Sequence, residues 1–184
     1  PLATFAMEVY GDVNCDAFAI KFNTDYNTKD LSLDTKMHKA MAIIQFKLEG
    51  QLIMRHPEFH MEERMLLDRI DYEKGTICIS GKTYKMKDMD FPTIDPKKPF
   101  ELTEEEAKVM VRLQQAFMKC EKLQRHVRFL YAKGGMYKIY NGNLLYHGCV
   151  PLNEDGTFAE VEIYGRKYKG KALYDILEYY ARRG

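Results

Sequence analysis

The sequence lacks several features that would narrow its class at once. No apolar run reaches the roughly 20 residues a membrane-spanning helix needs. Pro1-Leu2-Ala3-Thr4-Phe5 has no charged region and no signal-peptide layout. Charge of one sign is missing too: 28 basic and 27 acidic side chains leave a formal net charge of +1. A dedicated nucleic-acid binder normally carries a basic excess, so that class is excluded, and nothing points to a membrane surface. Cysteine is sparse. Cys15, Cys78, Cys120 and Cys149 form no Cys-x-x-Cys pair, and a chain of this size needs no disulfide staples. Free thiols in a reducing cytoplasm are the expectation. There is no Gly-x-Ser-x-Gly elbow, and no Cys–His arrangement that sequence alone supports as a nucleophile. An initiator methionine is missing as well. Both ends read as cuts inside a longer chain, with processing of a mature protein as the alternative.

The residues present describe an α+β protein. Its 184 positions suit one domain, or one with an appended subdomain. With 46% hydrophobic and 30% charged residues, it can fill a core and solvate a surface. Met37, Met41, Ile44, Leu48 and Leu52 recur at helical spacing and predict a helix over 34–55, which Gly50 weakens and Pro57 ends. A shorter helix is expected over 58–66. Residues 67–87 change period and read as a small β-meander with turns at 72–75 and 80–82. Pro92, Pro96 and Pro99 make 90–101 an extended connector.

Thr103-Glu104-Glu105-Glu106 is a capping box opening one long helix to about residue 132, stopped by Gly134-Gly135. Val109, Leu113, Phe117, Cys120, Val127 and Leu130 mark its apolar face. Asn141-Gly142, set between two apolar strands, is the strongest short hairpin signal in the chain. A second hairpin is expected about Gly165, then a final amphipathic helix over 171–182 through Leu173, Ile176, Leu177 and Tyr180.

Candidate chemistry is thin. His147-Gly148-Cys149 follows directly on an apolar strand, where loops build metal and substrate sites; a solvated loop histidine is the plain alternative. His56 and His60 stand four apart with an acid between them, but Pro57 breaks the helix a zinc-protease motif requires, so an exposed junction explains them better. Residues 75–83 mimic a phosphate loop with one residue too many between the glycines, and a tight hairpin accounts for both. Arg166, Lys167 and Lys169 precede a helix N-terminus, a place that attracts anions such as a substrate phosphate. A solvated hairpin tip is the plain reading there.

Longer segments go further. Asn143-Leu144-Leu145-Tyr146-His147-Gly148-Cys149-Val150-Pro151-Leu152-Asn153-Glu154-Asp155-Gly156 resembles a segment of the bacterial class III fructose-1,6-bisphosphatases. So do Pro1–Ala6, Met37–Gly50 and Pro57–Glu62, in the same order. The resemblance covers essentially the whole chain. It implies hydrolysis of fructose 1,6-bisphosphate to fructose 6-phosphate and phosphate, in gluconeogenesis, with a divalent metal, typically manganese (Mn2+). It also implies a parent several times longer, with a core similar to calcineurin-like metallophosphoesterases and a two-metal mechanism.

Of that family's metal blocks only the strand-end His-Gly is present, as Leu145-Tyr146-His147-Gly148, and the resemblance carries His147 over as a metal ligand. Asp-x-His, Gly-Asp-x-x-Asp-Arg-Gly and Gly-Asn-His are not found. One imidazole does not hold a two-metal centre, so the other ligands are expected before Pro1 and after Gly184.

The expected architecture is therefore a mostly helical insertion over 1–135, with its meander at 67–87, followed by a partial catalytic-core segment over 136–184. The segment alone is expected to be inactive and to self-associate through bared apolar surface. Its parent's partner is fructose 1,6-bisphosphate, not nucleic acid or membrane. A non-catalytic regulatory or ligand-binding module is the rival reading, using the long helix and the basic hairpin. A metal-binding protein using His56, His60 and His147 is a third.

Overall fold

The computed structural model describes residues 1–19 and 32–183. Among the described residues, five α-helices run along the chain: α1 (Leu2–Tyr10), α2 (Ser32–Arg55), α3 (Glu104–Lys119), α4 (Glu121–Lys133) and α5 (Lys171–Ala181). Seven short strands, β1 (Ile70–Asp71), β2 (Thr76–Ile79), β3 (Lys82–Lys85), β4 (Tyr137–Tyr140), β5 (Asn143–Tyr146), β6 (Val161–Ile163) and β7 (Arg166–Tyr168), form three separate antiparallel sheets. The class is α+β. Backbone contacts divide the chain into two units, Pro1–Ala116 and Phe117–Gly184.

In the first unit, α1 packs on α2, and Phe5, Tyr10, Ala40, Ile44 and Val109 close a core. A second cluster joins Leu67, Ile70, Ile77 and Phe100 beneath the β1–β2–β3 meander. The α2 helix follows its expectation in length and in most of its face: Ile44 is buried, and Met41 and Leu48 pack against the core. The buried side is broader than expected, taking in Lys39, Ala40, Ile43, Lys47 and Gly50, while Leu52 is exposed. The reason is polar. Lys39 Nζ donates to Asn14 O (2.6 Å) and lies 2.8 Å from Asp88 Oδ2, a contact that is ionic without being an aligned hydrogen bond. It also sits 5.8 and 5.5 Å from the ring centres of Phe18 and Phe91, which favours a cation. Lys47 Nζ donates to Thr93 O (2.5 Å) and Glu106 Oε2 (2.7 Å). Buried cations persist only when paired in this way. Gly50 is also no defect: a Cβ there would fall 2.2 Å from the Phe100 ring.

The helix expected over 58–66 is instead a series of 3₁₀ turns, Pro57–Phe59, Glu62–Arg64 and Leu67–Arg69. His60, in left-handed geometry at φ 50°, ends the first of them. The capping box forms: Thr103 N donates to Glu106 Oε2 (2.8 Å) and Glu106 N to Thr103 Oγ1 (3.2 Å). The single long helix does not. It breaks at Cys120, whose backbone is extended, and no proline or glycine marks the place. The expected apolar face is buried only at Val109; Phe117 and Leu130 are exposed.

In the second unit, Asn141-Gly142 joins β4 to β5 and Tyr164-Gly165 joins β6 to β7. Both residues of each pair have positive φ, as a type I′ hairpin turn requires. Ser80-Gly81 does the same for β2 and β3. That turn and Gly75 at φ 64° account for both glycines of the apparent phosphate loop.

Candidate functional site

His147 lies one residue beyond β5, and its position follows from the hairpin. The register pairs Tyr137 with Tyr146 and Ile139 with Leu144. The ladder runs one step further, His147 N donating to Met136 O (3.2 Å). Gly148 then turns the chain at φ 79°. His147 is exposed, and among the described residues its ring nitrogens make no hydrogen bond or ion pair. A ring in that state offers a nitrogen lone pair to a metal.

The backbone around His147 is held by α5. Tyr174, itself buried, donates its hydroxyl to Cys149 O (3.1 Å). Its ring meets those of Tyr137 and Tyr146 edge-on, each at 6.2 Å. One turn on, Glu178 Oε2 accepts from Met136 N (3.0 Å). Arg182, one turn further, binds Glu178 Oε1 (2.9 Å from Nε), and donates to Gly134 O (2.8 Å) and to Tyr131 O. The Met136 amide and then Arg182 hold the Glu178 carboxyl below the usual carboxylate range. Gly135 leaves room for this approach, since a Cβ there would lie 3.3 Å from Glu178 Oε2. Lys171 Nζ pairs with Asp175 Oδ2 (2.5 Å) and lies 5.5 Å from the Tyr137 ring centre. Sequence reasoning missed this set. Its signal was the spacing of Tyr174, Glu178 and Arg182, four residues apart on one helix face, which apolar periodicity alone passes over.

Beside the His147 turn is an apolar cavity of about 370 Å³, walled by Tyr146, Val150, Phe158, Lys171 and Tyr174 among others. The basic hairpin is less free than its sequence suggests. Lys169 and Lys167 both lie against Glu160, at 3.4 and 3.8 Å, while Arg166 is exposed at the start of β7. His56 Nδ1 is engaged by Glu58 Oε1 (2.9 Å), and its ring stacks on Phe59. Among the described residues no three His, Cys, Asp or Glu side chains come together to hold a metal ion. His56 and His60 lie in the first unit and His147 in the second. His147 by itself can offer one nitrogen ligand.

The model of the Firmicute fructose-1,6-bisphosphatase family matches residues 1–184. The chain belongs to that family. It is 56% identical to the class 3 fructose-1,6-bisphosphatase of Clostridium novyi over 183 residues, covering 99% of this chain and 28% of that protein. It is 56% identical to the Clostridium acetobutylicum enzyme of the same name over 185 residues, covering 100% and 28%. Against the Listeria monocytogenes enzyme it is 51% identical over 184 residues, covering 99% and 28%. This fructose-1,6-bisphosphatase family segment thus spans 28% of the length of the curated relatives it matches. No solved structure matches it.

Proposed function

We propose that this segment supplies one metal ligand, His147, to the active site of a class 3 fructose-1,6-bisphosphatase. That enzyme hydrolyses fructose 1,6-bisphosphate to fructose 6-phosphate and phosphate in the cytoplasm. The observation that carries the reading is an exposed imidazole with unengaged ring nitrogens, set by a β-hairpin directly before a glycine turn, in a chain of this family. A divalent metal, manganese on the family resemblance, would supply charge neutralisation at the phosphoryl oxygens and an activated water when bound. The chain's own part is to present the His147 ring at a fixed place. Residues 1–135 serve as an insertion between parts of the catalytic core, and 136–184 re-enter that core, which is of the metallophosphoesterase kind.

Arg166, Lys167 and Lys169 form a secondary phosphate contact, in which the anion takes the place of Glu160 against the two lysines. Alone, the segment self-associates through its exposed β4–β5 face. A monodisperse monomer in light scattering at high concentration contradicts that point.

The test is manganese-dependent phosphate release from fructose 1,6-bisphosphate. It compares the 184-residue chain, a full-length class 3 enzyme carrying it, and the same enzyme with His147→Ala. Loss of even an outer-shell partner costs about 10–100-fold, so loss of the ligand itself should cost about 100-fold or more. The full-length enzyme should be active and the segment silent. Comparable activity in all three overturns the reading.

A further inference from the structure

We propose that α5 is a positioning element for His147, acting through the backbone on both sides of it. The proposal rests on the reading of His147 as a metal ligand. Two hydrogen bonds carry it. Glu178 accepts from the amide of Met136, the residue whose carbonyl receives the amide of His147. Tyr174 donates to the carbonyl of Cys149, two residues after His147. One helix face therefore fixes the strand opposite the histidine and the turn that follows it.

Met136 and Cys149 lie just outside β4 and β5: the ladder's last bond is His147 N to Met136 O, and the Met136 amide then gives its hydrogen to Glu178. Arg182 sets the Glu178 carboxylate in turn, and ties it to Gly134 O at the end of α4. The Tyr174 ring, buried against Tyr137 and Tyr146, sets its own hydroxyl. A backbone held at two points flanking a ligand restricts where the imidazole can reach, and that precision is what a metal site requires of its supporting shell.

None of these α5 groups touches the metal or the substrate in this scheme. Tyr174, Glu178 and Arg182 are positioning residues, and their loss should weaken metal binding while leaving the affinity for sugar bisphosphate nearly intact.

The test uses a full-length class 3 enzyme carrying this segment, in four forms: Tyr174→Phe, Glu178→Ala, Glu178→Gln and His147→Ala. Bound manganese is measured by electron paramagnetic resonance without substrate, and KM for fructose 1,6-bisphosphate is measured at saturating manganese. Tyr174→Phe keeps the ring packing and removes one hydrogen bond, so it reports even if Glu178→Ala melts the helix. Tyr174→Phe and Glu178→Ala should each weaken manganese binding by about 10-fold or more, with KM changed less than about 3-fold. Glu178→Gln, which keeps an oxygen acceptor for the Met136 amide, should recover most of the loss.

Manganese binding unchanged in Tyr174→Phe and Glu178→Ala, but weakened in His147→Ala, overturns the positioning role and leaves the ligand reading standing. Manganese binding unchanged in His147→Ala overturns the ligand reading and the positioning role with it.

Discussion

The two units differ in how they are held together. In Pro1–Ala116 the interior is closed: Phe5, Tyr10, Ile43, Ile44 and Ile53 are all almost wholly buried, and two lysines are sealed in with their counter-charges. In Phe117–Gly184 the buried apolar side chains are Leu173 and Tyr174, both on α5. Ile139, Tyr140, Leu144 and Leu145 stand exposed on the hairpin beside them. The first unit is ordered by packing with polar pairs built into it. The second is ordered by turn geometry and by hydrogen bonds from one helix, with little apolar burial behind them. Close packing resists small changes, whereas a hydrogen-bonded frame depends on a few atoms. The difference predicts where substitutions hurt.

The largest effect is expected at Lys47→Met. Its ammonium and the Glu106 carboxylate are both fully buried at 2.7 Å. Glu106 already has one buried oxygen, Oε1, with no hydrogen-bond partner among the described residues. Removing the cation leaves a buried anion compensated by the Thr103 amide alone, and breaking such a pair costs about 3–5 kcal/mol. Chemical denaturation of the first unit should show that loss. Lys47→Met with Glu106→Gln should recover a large part of it, because the uncompensated charge is then gone. A single substitution that leaves the midpoint unmoved shows that the pair does not hold the core.

A matched pair sharpens the comparison. Ile44 is fully buried between α1 and α3, and Ile139 is 69% exposed on β4. Ile44→Ala should cost about 2–5 kcal/mol through lost burial and a cavity. Ile139→Ala in the same 184-residue chain, measured at a concentration low enough to keep it monomeric, should fall within about 0.5 kcal/mol of the parent. Equal losses at the two sites erase the distinction between the units.

Much of this architecture is legible in the residues, for a reason that separates local from non-local physics. Asn141-Gly142, Gly165 and the Thr103–Glu106 box act within four residues, and each does in the structure what its chemistry dictates. The buried face of α2 is legible at Ile44 but not at Lys39 and Lys47, which read as solvent-facing until Asp88 and Glu106 arrive from far along the chain. Pro57 marks the first 3₁₀ turn, but the turns that follow it to residue 69 and the break at Cys120 carry no local mark of their own. Of the candidate site, His147 and its strand-end setting are visible in sequence. The grip of Tyr174 and Glu178 is not, since nothing in a hydrophobic period says which backbone atoms a helix will meet 25 or 42 residues back.

The smallest loss expected at a buried position tests how well the first unit excludes water. Tyr10 is fully buried and gives or takes a hydrogen bond with Thr93 Oγ1 (3.2 Å). Burial pushes its hydroxyl up to about 12, with the Glu106 carboxylate adding to the rise. The neutral phenol is thus favoured by folding. The sign follows: between the ordinary tyrosine value near 10 and the raised value, the unfolded chain has lost a proton that the folded chain keeps. Stability from this group is fully present below about pH 10 and is lost as pH rises toward 12. Tyr10→Phe should cost about 1 kcal/mol at neutral pH through the lost hydrogen bond. It should also flatten the fall in stability across that alkaline window, with Tyr72, likewise raised to about 12, supplying part of the slope that remains. An unchanged alkaline slope in Tyr10→Phe means that the phenol is reached by solvent in the native state, and the closed interior that separates the first unit from the second is then not closed at Tyr10.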